Sequence, residues 1–120
     1  MRDRRNEARL LCADLVQMEW HDPFGKLRRS DANLEDISAS GACLQLEHEI
    51  PLFTDVRLLL PKGELKGIVR YCVFRDIGYF LGVEFAPDTR WTPRMFRPMH
   101  LLDPRRLVHR VIERVTRPTT

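Results

Sequence analysis

The sequence lacks any apolar run near the roughly eighteen residues that a membrane-crossing helix needs. Its first nine residues are rich in arginine and hold no apolar segment of the kind a secretory leader requires, so a cytoplasmic location is expected. Cysteine is scarce: Cys12, Cys43 and Cys72 are unevenly spaced and form no C-x-x-C, which argues against a disulfide framework and for reduced, buried thiols. The histidines, His21, His48, His100 and His109, form no H-x-x-x-H and have no cysteine at ligand spacing, so no metal site is expected. There is no G-x-S-x-G, and the few serines fall in turn-like stretches, so the chain is not expected to be an enzyme. Lysine is rare as well. Seventeen of the twenty cationic residues are arginine, whose planar fork binds phosphates and base edges in ways a lysine ammonium cannot.

What is present fits one compact domain of 120 residues and 14.2 kDa. Hydrophobic residues make up 43% and charged residues 31%, which supplies a core and argues against global disorder. The net charge of +3 is unevenly spread. Residues 1–9 carry four arginines against two acids, residues 10–85 carry eight basic against twelve acidic residues, and residues 86–120 carry eight arginines against three acids. The positive charge therefore sits at the two ends.

Strand-like patterning appears at Leu10–Met18, Leu34–Ser38, Ala42–Leu46, Val56–Leu60, Gly67–Phe74 and Tyr79–Phe85. The breaks are Ser40-Gly41, Pro51 with Thr54-Asp55, Pro61-Lys62-Gly63 and Arg75-Asp76-Ile77-Gly78. Glu19 to Asn33, crowded with charges and turn formers, reads as a hairpin loop. Six strands at this spacing predict a mainly β fold, a small antiparallel barrel or sandwich, and closure is favoured because it removes exposed edges. After Pro87 the texture changes. Trp91, Met95 and Phe96 sit at helical spacing but are cut off by Pro93 and Pro98. From Pro104, with Asp103 as N-cap, the stripe Leu107, Val108, Val111, Ile112 and Val115 predicts a C-terminal amphipathic α-helix packed on the barrel or on another copy. Trp91, Phe96, Met99, Leu101 and Leu102 exceed what one barrel end needs, so some are expected to form a homodimer or partner surface. The expected organisation is an arginine-rich segment over 1–9, a barrel over 10–86 and a helical region over 87–120.

Two motifs stand out. Arg2, Arg4, Arg5 and Arg9 cluster before the first strand, with Arg5 and Arg9 forming an R-x-x-x-R that composition alone could produce. Asp36, Ser38 and Gly41 form a D-x-S-x-x-G where the second strand gives way to the third, a pattern with roughly 0.01 accidental matches over such a chain. Asp, Ser and Gly there also suit a plain hairpin turn. Taken with the ending Gly82-Val83-Glu84-Phe85 of the sixth strand, these motifs resemble the PilZ domain family, bacterial receptors for cyclic di-GMP. The resemblance runs from about Arg4 to Phe85 and implies a six-stranded β-barrel with a C-terminal helix. It also implies that the arginine segment folds over a ligand held against the barrel wall.

The residue chemistry agrees with that implication. Cyclic di-GMP presents two guanines and two phosphates. Arg5 and Arg9 can fork onto guanine O6 and N7, stack on a purine or bind a phosphate. Asp36 suits the guanine N1 and N2 protons, Ser38 can donate or accept, and Gly41 removes a Cβ where ligand or backbone comes close. Arg4 stands just before the R-x-x-x-R, and resemblance to family members with an arginine there implies a third guanidinium and leans toward an intercalated ligand pair. The expected function is a receptor in which cyclic di-GMP orders the N-terminal segment and alters contact with a downstream protein. The alternative is a PilZ-like adaptor of pilus or motility machinery with little or no nucleotide binding. Nucleic-acid binding by the basic C-terminal region has no supporting signature, and a solvated helix face is the simpler reading.

Overall fold

The computed structural model describes residues 9–98. Arg4 and Arg5 in the N-terminal segment, and the expected C-terminal helix, lie outside the described residues. Six strands form the element order: β1 (Leu10–His21), β2 (Leu27–Ile37), β3 (Gly41–Leu46), β4 (Asp55–Leu60), β5 (Gly63–Arg75) and β6 (Gly78–Phe85). They close into an antiparallel barrel in the order β1-β2-β3-β6-β5-β4, so the barrel alternative of the sequence reading is the one realised. Closure is made by β1 against β4, from Gln17 opposite Leu59 to Trp20 opposite Val56.

Alternation explains the core. Val16, Met18 and Trp20 of β1, Ala32 and Leu34 of β2, Leu44 and Leu46 of β3, Val56 and Leu58 of β4, Leu65 and Val69 of β5, and Leu81 and Val83 of β6 point inward. Met18, Leu34, Leu44, Leu58, Leu65 and Leu81 are fully buried, and burying such a side chain contributes about 1.5–3 kcal/mol. Cys12 joins this core, where burial pushes its thiol up to about 12. All three cysteines are free; Cys12 and Cys43 are buried and Cys72 is half-buried.

The stretch Glu19–Asn33 is not a loop. β1 runs to His21 and β2 starts at Leu27, with Trp20 opposite Arg28 and Glu19 opposite Arg29, leaving a short connection over 22–26. There the Asp22 carboxylate accepts the backbone N–H groups of Phe24 and Lys26, both at 2.9 Å, and Gly25 takes a φ of +81°. The charges that suggested a loop lie on the outer face of the strands. Glu19, only 5% exposed, is held there between Arg29 and Arg57, which occupy its cross-strand positions on β2 and β4. The Arg29 hydrogen bond, then the Arg57 charge, hold the Glu19 carboxyl below its ordinary value against the opposing effect of burial.

After β6 the chain turns back along the barrel. Trp91 is buried, its backbone N–H donates to the Ala39 carbonyl at 3.1 Å, and its indole N–H donates to the Phe96 carbonyl at 2.7 Å. Met95 and Phe96 pack against the core, so Trp91 and Phe96 contribute to this barrel, while Met99, Leu101 and Leu102 of the expected partner surface lie outside the described residues. Residues 87–98 form turns without a helix.

Candidate functional site

Two irregularities in the sheet create the site. In β2, Leu34 faces Leu44 and Asp36 faces Cys43, so Glu35 is an extra residue. Ala32 and Leu34 point inward, and strict alternation would send Asp36 into the core as well. The bulge reverses the phase, so Ile37 is buried and Asp36 is turned to the outer wall. In β5, Val69 faces Val83 and Tyr71 faces Gly82, which makes Arg70 the extra residue. Leu65 and Val69 point inward, and here too the bulge turns Tyr71 outward while Cys72 packs against the core.

Asp36, Cys43, Gly82 and Tyr71 therefore form one transverse row on the outer face of β2, β3, β6 and β5. Gly82 makes the row continuous. A Cβ at this position would collide with the Tyr71 ring, so glycine lets the ring lie across β6. The Tyr71 hydroxyl is thereby brought beside the Cys43 thiol, whose hydrogen bonding bears on its ionisation. Burial, followed by that hydrogen bonding, pushes the Tyr71 hydroxyl up to about 12, and burial raises the Cys43 thiol as well. Both groups are neutral at physiological pH.

Above this floor lies a cavity of about 390 Å³ lined by Arg9, Asp36, Ser38, Ser40, Gly41, Arg70, Tyr71 and Glu84, among others. Arg9, immediately before β1, reaches both Asp36 oxygens from Nη2 at 3.2 Å. The Asp36 charge raises the Arg9 guanidinium further above its already high ordinary value. Arg9 is 63% and Asp36 17% exposed, so the pair contributes about 0–1 kcal/mol and exchanges readily for a ligand. On the opposite wall Arg70 Nε sits 3.2 Å from Glu84, with its guanidinium 5.8 Å from the centre of the Phe53 ring.

The turn over 38–41 forms the rim. Ser38 is buried, and its N–H donates to the Gly41 carbonyl at 2.8 Å. Phe85 donates to the Ser40 carbonyl at 2.8 Å and Trp91 to that of Ala39, which pins the turn to β6 and the segment beyond it. Gly41 is required by backbone: a Cβ there would stand 2.6 Å from the Val83 carbonyl oxygen.

Of the residues singled out in the sequence, Arg9, Asp36, Ser38 and Gly41 line this one cavity. Arg70, Tyr71 and Glu84 line it too and were not singled out as site residues. Glu84 entered only as part of the Gly82-Val83-Glu84-Phe85 ending, and the signal of Arg70 and Tyr71 is faint, because under strict alternation Ile68, Cys72 and Phe74 make one face of β5 as apolar as the other. A larger cavity of about 530 Å³ lies between Trp20, Leu27, Val56 and Phe85 and shares Glu84 with the first. Its walls are mainly apolar, and its buried carboxylate, Glu19, is already matched by two arginines. The smaller cavity gathers the greater variety of donors, acceptors and an aromatic ring, which suits a polar, flat ligand. Among the described residues no group of three or more His, Cys, Asp or Glu is placed to hold a metal ion, and no helix is long and apolar enough to cross a membrane.

Comparison with known proteins places this geometry in a family. The PilZ domain model matches residues 3–92. Among solved structures, the PilZ domain with c-di-GMP of YcgR from Escherichia coli superposes with a TM-score of 0.57 at 13% identity, covering 97% of this chain and 100% of that one. The K. pneumonia MrkH–c-di-GMP complex gives 0.55 at 15% identity, covering 96% of this chain and 56% of MrkH, so the chain spans little more than half of that protein. No curated protein sequence matches. The family match extends from the arginine-rich start through all six strands to the segment holding Trp91, and the chain belongs to the PilZ domain family.

Proposed function

We propose that this chain is a cyclic di-GMP receptor in which the ligand sits on the Asp36–Tyr71 wall and draws residues 1–9 over itself. The observation that carries the reading is the facing pair of Arg9 and Asp36 at the lip of a cavity whose floor is an aromatic ring. A guanine presents acceptors at O6 and N7 and donors at N1 and N2. Arg9 and Asp36 are complementary to those two edges, so a guanine that separates them replaces both sides of the ion pair. Family membership, and the c-di-GMP held by the YcgR domain and by MrkH, support the same ligand.

Each residue then has a distinct role. Arg9 and Arg5 supply guanidinium forks, and Arg4 adds a stacking face for a second ligand molecule. Asp36 discriminates guanine from adenine, because adenine offers no N1 proton. Ser38 adds a hydroxyl at the rim, while Gly41 acts through the backbone by letting β3 approach β6. The half-exposed face of Tyr71 offers stacking, which contributes about 1–3 kcal/mol per base in comparable sites. No bond is made or broken in this scheme. The output is a changed surface, formed when residues 1–9 order on the 10–86 barrel and read by a downstream protein.

Calorimetric titration of the full chain with cyclic di-GMP tests the reading. The expected result is saturable heat that is lost or weakened at least tenfold in Arg5→Ala and Arg9→Ala. Absence of heat at tens of micromolar ligand sinks the receptor and favours the adaptor, while binding that survives both substitutions puts the ligand elsewhere.

A further inference from the structure

The wall of the cavity opposite Arg9 presents a carboxylate to any ligand that enters. Glu84 lines that wall, and a phosphate lying against it would be repelled unless a cation stood between them. Arg70 stands there. It is the extra residue of the β5 bulge, so it belongs to neither alternating face of the strand, and its side chain follows the cavity rim. Its ion pair with Glu84 is made at Nε, at 3.2 Å, whereas a phosphate fork engages the Nη edge. The rest of its position is a stack on Phe53, 5.8 Å from the ring centre.

Phe53 is fixed for this purpose by main chain. Its φ is +66°, a left-handed conformation uncommon for a bulky residue, and its N–H donates to the Val69 carbonyl at 2.8 Å. Val69 in turn donates to the Thr54 carbonyl at 3.0 Å. The loop carrying Phe53 is thereby tied to β5 directly before the bulge. Beyond these two contacts the side chain is 52% exposed and open to a ligand.

We infer that Arg70 is a phosphate-binding residue of the site, held by Glu84 and Phe53 until the ligand arrives; this rests on the receptor reading above. Arg9 and Arg70 stand on opposite margins of the wall. Arg9 engages Asp36 of β2, and from β2 to β5 is three strand spacings, about 14 Å along the sheet. A dinucleotide laid along this row can meet Arg9 at one end and Arg70 at the other.

The test is calorimetry of the full chain with cyclic di-GMP over a series of salt concentrations, comparing wild type, Arg70→Ala, Arg70→Lys and Glu84→Gln. Arg70→Ala is expected to weaken binding about tenfold and to make what remains less sensitive to salt, because one cation–phosphate contact is gone. Arg70→Lys should keep the salt sensitivity with part of the affinity, and Glu84→Gln should tighten binding by removing the competing carboxylate. An unchanged melting temperature in Arg70→Ala separates this from a folding defect. If wild type binds and Arg70→Ala binds equally well, the assignment of Arg70 is overturned and the receptor reading stands. If Arg70→Ala weakens binding with unaltered salt sensitivity, or Glu84→Gln weakens it, the phosphate role is overturned. If wild type itself does not bind, the receptor reading falls and this inference falls with it.

Discussion

At the scale of single residues, the site depends on one side chain that is absent. Gly82 leaves the space in which the Tyr71 ring crosses β6 toward Cys43, the next residue of the outer row. Gly82→Ala should therefore cost about 1–3 kcal/mol through overpacking, measured by denaturant unfolding. In a Tyr71→Ala background the same substitution should cost much less, and equal costs in both backgrounds would remove the clash as the cause. Tyr71→Ala should also expose Cys43 to a thiol-specific reagent that reacts slowly with the wild-type protein at pH 8. The legible residues of the site were those whose chemistry is unusual in a strand: Asp36, Ser38 and Gly41 announce themselves by type and spacing. Tyr71 and Arg70 do not, since an aromatic beside an arginine is ordinary strand composition. Only the register of β5 against β6 gives them meaning.

At the scale of elements, strand positions were legible wherever one face was apolar and the other polar. The boundaries at Ala42–Leu46 and Tyr79–Phe85 moved by a single residue at one end. The β1–β2 hairpin was misread because Arg28, Arg29, Ser30 and Asp31 have low strand propensity, and tertiary pairing overrode it. The Glu35 bulge did leave a trace, the three-residue spacing between buried Leu34 and Ile37, which no unbroken strand produces. The hairpin's polar face makes its own pH prediction. Glu19 has a folded-state pKa below its ordinary 4.5, so its contribution to stability is complete above that value and is lost as pH falls through the depressed one. Thermal melts between about pH 5 and pH 3 should show a shallower acid decline in Glu19→Gln than in wild type. Identical slopes would mean that the Arg29–Glu19–Arg57 cluster is not linked to folding.

At the scale of the whole molecule, a ligand that binds only the folded barrel must stabilise it. Cyclic di-GMP at a hundredfold excess over its Kd should add about 2.7 kcal/mol, a rise in melting temperature on the order of 10 °C. A melt unmoved at that excess would contradict calorimetric binding and point to heat from another source. The strand order carries a further consequence. β6 is the last strand among the described residues, yet it lies between β3 and β5, and it supplies Gly82 at the centre of the cavity floor. As the chain leaves the ribosome, the arginine-rich start and the Asp36 turn emerge early. They have no wall to close upon until residues up to Phe85 have emerged and inserted. On the receptor reading proposed above, a nascent or truncated chain carrying both sequence motifs binds no cyclic di-GMP, and the pool of receptor is counted in finished barrels rather than in motifs synthesised.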